Sequence, residues 1–329
     1  MIIRFFNTNQ PFILFFVVII SALLCLLPVF NPEHIPVANG QMPFYILLEH
    51  IIGKAPIVSI IGSMIIILIN AVLTNSIATN YDLVPKGFAG SLIFVLICSS
   101  YSGFFNIPPT LPALTFLLLS LNAILSLTKE NYRLDAVFNA GFYIALASLF
   151  YLPAIYFFII VIVGINAFRA RPLREICIAI TGVVVPYSFV FVYYFWVDQL
   201  PWFIENSFAK IFSLFIPTQL PLPYQFLPIF ILILVLMSFA KIGVKTSERT
   251  VKDKGIRAVI YLFFVVSILS FFTSSDASPQ HFILAAAPVT MFISPMLVNI
   301  KKPVLSDIFL LLLVFLVFFS LSYSLEIFK

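Results

Sequence analysis

The sequence predicts an all-α polytopic membrane protein, a bundle of about eleven spanning helices with a cytoplasmic N-terminus. Three observations predict it. Of 329 residues, 62% are hydrophobic and 9% charged, whereas soluble domains run near about 45–50% and about 25%. The apolar residues fall in runs of roughly 20, the length that crosses the hydrocarbon core of a bilayer. The lysines and arginines, finally, gather in alternate loops. The net charge of +5 is therefore read as loop anchoring. Nucleic-acid binding is excluded, because no basic patch interleaved with aromatics lies on a soluble face.

The run over 11–30, PFILFFVVIISALLCLLPVF, is the first expected span. It is too long for a signal-peptide core and lacks a small-x-small cleavage site. Ten further apolar segments follow at 56–75, 87–105, 109–128, 136–150, 152–168, 175–196, 225–242, 257–273, 282–299 and 306–325. The pair 136–150 and 152–168 is separated only by "YLP", so one kinked helix is the alternative to two spans. Pro153 removes a helical donor and restricts the residue before it, which favours a break. Loop charge decides in the same direction. With eleven spans, fifteen of the eighteen Lys and Arg residues face one side, and Lys54, Lys210 and Lys329 face the other. Merging the pair puts "RARPLRE" and "KTSERTVKDKGIR" on the wrong side. The expected organisation is a membrane module at 1–196, an external loop at 197–224 and C-terminal membrane helices at 225–329.

Between the first two spans lies NPEHIPVANGQMPFYILLEHIIGK, residues 31–54. In it Phe44, Leu47, Leu48, Ile51 and Ile52 recur at helical spacing, and Gly53 can close the helix. The stripe is about half the length of a span, which predicts an amphipathic helix in the outer interface. All three histidines, His34, His50 and His281, fall on the external side. So do Glu33, Glu49 and both tryptophans, Trp196 and Trp202, which suit the headgroup belt.

Glu33, held just above the first span, is the candidate catalytic carboxylate. It can serve as general base toward an acceptor hydroxyl or ligate a divalent cation that grips a phosphate. His34, Glu49, His50, Lys54, Lys210, Gln280 and His281 are the candidate substrate-binding residues. For each, polar residues meeting water at a helix end is the competing explanation. Three scattered histidines without an H-x-x-x-H pair do not make a histidine-only metal site. Cys25, Cys98 and Cys177 lie singly in apolar runs and read as packing residues. Asn70, Asn122, Asn139 and Asn166 are expected to hydrogen-bond between helices. No ionisable residue stands mid-span, which disfavours a transporter. No P-loop, G-x-S-x-G or H-E-x-x-H motif is present.

The order of features, with "MPFYILLEHIIGK" after the first external loop, then "NAGFYIALASLFYLPAIYFFIIVIVG" and late "QHFILAAAPVTMFIS", resembles the GT-C glycosyltransferases. These membrane enzymes move sugars from polyprenyl-phosphate carriers. The resemblance implies transfer from a lipid-phosphate donor at the outer leaflet of the cell inner membrane, with Glu33 as catalytic acid and Lys54 or Lys210 meeting the phosphate. The chain departs from that class in carrying glutamate where aspartate is usual. Gln280 and His281 also replace an expected arginine. The whole sequence is also similar to an uncharacterised family of Bacteroidota integral membrane proteins. Some of those carry a carotene-oxygenase label, a chemistry that three histidines do not support. The competing expectation is a non-catalytic membrane subunit that serves other proteins of the cell envelope.

Overall fold

The computed structural model describes residues 2–8, 10–30, 42–52, 55–129, 133–169, 172–208, 222–243, 251–272, 279–300 and 302–324. All regular structure among them is helical. A short α1 (Ile2–Phe6) precedes α2 (Pro11–Phe30), α3 (Pro43–Ile52) and α4 (Pro56–Asn80). Next come α5 (Ala89–Cys98), a 3-10 turn (Ser102–Asn106), α6 (Thr110–Ser126) and α7 (Leu134–Phe150). A second 3-10 turn (Leu152–Phe157) leads into α8 (Phe158–Phe168) and then α9 (Pro172–Trp196). After α10 (Leu200–Phe208), α11 (Leu222–Gly243) and α12 (Val251–Phe272), a third 3-10 turn (Pro279–Phe282) opens α13 (Ile283–Val298), and α14 (Pro303–Ser324) follows. The helices α2, α3, α4, α9 and α14 all begin on proline. Its fixed φ suits the first turn, where its missing N–H would be unsatisfied anyway.

Six helices are long and apolar enough to cross a membrane: 12–29, 56–80, 172–196, 252–272, 280–298 and 303–323. The protein is thus a multi-pass helical membrane protein. Each of the eleven expected segments is helical; of the remaining five, 87–105 and 152–168 each include a 3-10 turn, α6 and α7 run 17 residues each, and α11 runs 22. The 136–168 pair is two helices. The backbone becomes extended at Tyr151 (φ −141°, ψ 104°), two residues before Pro153.

Two packing centres hold the bundle. In the first, α13 is buried along most of its length and touches α4, α5, α6, α11, α12 and α14. Every residue of α5 is buried beside it. In the second, α7 lies between α6 and α9. There Gly141 meets the backbone of Ala179, and Gly182 meets that of Phe138, so closely that a methyl group at either glycine would overlap a carbonyl oxygen. Lipid offers no hydrophobic drive between spanning helices, so close backbone approach at small residues supplies the contact energy. The Ser120 hydroxyl adds a bond to the Ala140 carbonyl at 2.9 Å.

Hydrogen bonds tie the loops together end by end. At one end the Phe88 N–H donates to Phe6 O (2.8 Å) and the Ile3 N–H to Asp307 Oδ1 (3.1 Å). There too Arg169 and Glu175 form a largely buried ion pair at 3.3 Å. At the other end the Ile107 N–H donates to Ser63 Oγ (2.8 Å), and Thr110 Oγ1 donates to the Gln280 carbonyl (2.9 Å). Asn70 and Asn122 bridge helices as expected: Asn70 Nδ2 donates to Leu111 O, and the Tyr81 hydroxyl, at the end of α4, donates to Asn122 Oδ1 at 3.4 Å. Asn166 corrects its expectation. Its Nδ2 donates to Ile162 O on its own helix at 2.8 Å, which satisfies an exposed amide without a neighbour.

Candidate functional site

The end that carries Gln280 holds the candidate site. His281 lies in the third 3-10 turn and is buried, 8% exposed. Its Nδ1 lies 2.8 Å from the hydroxyl of Tyr151, which is itself buried at the break between α7 and its following turn. Phe271 of α12 sets its ring edge-on to His281 at 6.1 Å and stacks on Phe282 at 4.7 Å. The bond from Thr110 to the Gln280 carbonyl fixes the same turn to the start of α6. Three segments distant in sequence therefore close over one imidazole.

Beside this knot lies a cavity of about 310 Å³ between α5, the first 3-10 turn, α11, α12 and α13. Its walls are almost wholly apolar; Cys98, Tyr101, Phe104, Val235 and Ala286 are among them, and no charged side chain among the described residues lines it. Leu232, Ile268 and Phe282 also line it, and each is well exposed on the outer surface of the bundle. The cavity therefore opens sideways, toward the hydrocarbon of a bilayer. Phe282, at its rim, is the residue after His281.

One wall of the cavity is irregular backbone, residues 99–107, in the bundle interior. Non-helical chain is tolerated at membrane depth only when protein or a cavity covers it. Here Ser100 Oγ satisfies the Ile97 carbonyl at 2.8 Å. At its end, Ile107 adopts φ 44°, a left-handed backbone that is rare for a β-branched residue. The Ser63 hydroxyl that accepts its N–H holds it there. Gly62 leaves room as well: a Cβ at that position would come within 2.9 Å of Ile107 Cδ1.

The predicted residues divide into two groups. Glu49 and His50 are exposed on α3. The helix is anchored by Met42 and Tyr45, 2% and 3% exposed. Leu47 and Ile51 of the expected apolar stripe face outward, so the apolar residues of α3 serve two surfaces, protein and surroundings. Burial, reinforced by the Glu49 carboxylate one turn on, raises the Tyr45 phenol above its ordinary value. The Phe44 ring packs edge-on against Phe150 at 5.6 Å, and Phe150 precedes Tyr151. The end of α7 thus connects α3 to the His281 knot. Glu33, His34, Lys54 and Lys210 lie outside the described residues. Among the described residues no three His, Cys, Asp or Glu side chains gather as a metal site would require. Sequence reading missed Tyr151, Thr110 and Ile107; "YLP" marked a turn but not the buried tyrosine within it.

The fold and site define a multi-pass membrane protein with an apolar cavity whose rim residue Phe282 adjoins a buried histidine. The chain belongs to the DUF6427 family, a family of unknown function whose match covers residues 88–328. That span contains the cavity, Tyr151 and His281. No curated protein matches the chain.

Proposed function

We propose that the protein crosses the inner membrane eleven times, with its N-terminus cytoplasmic, and transfers a sugar or similar group from a lipid-phosphate donor at the outer leaflet. The side-opening cavity is the observation that carries this reading. Its volume lies within the range of ligand pockets, and its wall chemistry suits a hydrocarbon chain arriving from the bilayer. Phe282 at the rim adjoins His281 and, through it, Tyr151, which are polar groups that the head of such a chain can meet. In the transfer, the acceptor hydroxyl gives its proton to the Glu33 carboxylate and its oxygen bonds to the transferred carbon. The bond from that carbon to the phosphate oxygen breaks, and the lipid phosphate leaves with the electron pair. Lys54 or Lys210 offsets the charge left on the phosphate.

A second reading, a lipid-binding subunit without catalysis, draws on the exposed position of Glu49 and His50 and on cavity walls free of charge. One experiment separates the two. Lipids are extracted from the purified wild type, from Ala286→Trp, which fills the cavity, and from Glu33→Gln, and are identified by mass spectrometry. A lipid phosphate retained by wild type and Glu33→Gln but lost from Ala286→Trp is the expected pattern, with the cellular phenotype lost in both variants. A normal phenotype in Glu33→Gln establishes the subunit reading. Retention of the same bulk lipids by all three proteins rejects both.

A further inference from the structure

At the opposite end of the bundle, lysines from two distant segments converge on one turn, Thr128–Lys129. The Lys129 ammonium, in the turn after α6, stands 4.8 Å over the ring of Tyr81, which caps α4. Lys252, in the first turn of α12, reaches the carbonyl of Thr128 at 3.4 Å, and that peptide links directly to Lys129. Arg133 lies near enough for its charge to act on the Tyr81 phenol, which burial pushes up to about 12 against that pull. Tyr81 is fixed from behind, because its hydroxyl donates to the Asn122 carbonyl at 3.3 Å. The aromatic face under Lys129 is therefore a rigid part of the fold.

Asp135 engages Arg133 at 3.6 Å. Lys129 and Lys252, both exposed, pair with no carboxylate among the described residues. Two exposed cations held on one turn favour an anion that can reach both. Their place at the end of the spanning helices is the depth of lipid headgroups, where each Lys or Arg contributes about 1 kcal/mol toward anionic lipid.

We infer that Lys129, over the Tyr81 ring, and Lys252, on the adjoining Thr128 carbonyl, form a binding site for the phosphate of an anionic phospholipid headgroup. The lipid's chains lie against the adjoining apolar surface, and its phosphate bridges the α6–α7 turn to α12. It joins segments more than a hundred residues apart in sequence and steadies their packing. The site is remote from the cavity and independent of the transfer reaction.

Native mass spectrometry of the full-length protein with added phosphatidylglycerol tests it, alongside thermal unfolding in nanodiscs of phosphatidylcholine with or without phosphatidylglycerol. The K129Q/K252Q variant should weaken the tightest phosphatidylglycerol adduct roughly tenfold to thirtyfold and lose the stabilisation by anionic lipid. It should unfold like wild type in pure phosphatidylcholine. K129R/K252R should keep both properties. K86Q/K302Q, which removes two exposed lysines from the same end, should keep them too. Equal loss in K86Q/K302Q would mean diffuse surface charge and overturn the site. If soluble glycerol phosphate competed as strongly as the lipid, the site would belong to a free anion and not to a membrane lipid.

Discussion

Tyr151 and His281 depend on each other, and each stands for a contact between segments 130 positions apart. Their bond is buried, so removal of one partner leaves a polar atom facing apolar packing. Such a loss costs about 1–3 kcal/mol, whereas replacing both partners by apolar groups of similar shape is nearly neutral. Tyr151→Phe and His281→Leu should each lower stability by about that amount, and the double variant by less than the sum. Thermal unfolding of the four proteins in detergent measures the coupling. Additive losses would show that the pair does not act as a unit. This bond was illegible in the sequence for a simple reason: periodicity reports which face a residue occupies, not which distant residue it meets. Ile107 was hidden in the same way. Its left-handed backbone is a result of Ser63 and Gly62 on another helix, not of its own side chain.

Among the helices, the contact of α7 with α9 rests on absent side chains. The oxygen of Ala179 occupies the space where a Cβ on Gly141 would stand, and the oxygen of Phe138 does the same for Gly182. Backbone cannot step aside as a rotamer can. Gly141→Ala and Gly182→Ala should therefore each destabilise by about 1–3 kcal/mol or more. Gly164→Ala provides the contrast, since its nearest obstacle is a side-chain methyl of Ile124. Its loss should be the smallest of the three in the same unfolding assay. Equal losses at all three sites would rule out backbone contact as the cause. The helices themselves were legible: every one of the eleven apolar segments is helical, and proline marks several starts. Their rank in the bundle was not. A hydropathy run looks the same whether its apolar side chains face lipid, as Val184 and Phe189 of α9 do, or protein, as all of α5 does. The α3 helix was legible too, but not its anchor Tyr45, which its spacing did not single out.

For the whole molecule, basic side chains gather at the end where α1 docks, and His281 lies at the other. The proposed orientation puts the basic end in the cytoplasm. Introduced cysteines test it, in a Cys177→Ser background because Cys177 is exposed. A cysteine at position 34 should react with a membrane-impermeant maleimide in intact cells, and one at position 245 only after permeabilisation. The reverse pattern would invert the proteins and lipids that the cavity rim and the basic cluster can meet.

The complete enclosure of α5 has a consequence for biosynthesis. Lipid cannot replace its neighbours equally well, because Ser91 spends its hydroxyl on Ala71 of α4, and much of its remaining cover comes from α13. Ribosomes add about 5–20 residues per second, so the roughly 200 residues between these helices take tens of seconds to emerge. Throughout that interval α5 waits half-dressed in the bilayer. A nascent chain truncated before α13 is thus expected to engage membrane chaperones or proteases, which makes the late arrival of one helix the quality-control checkpoint of the entire assembly.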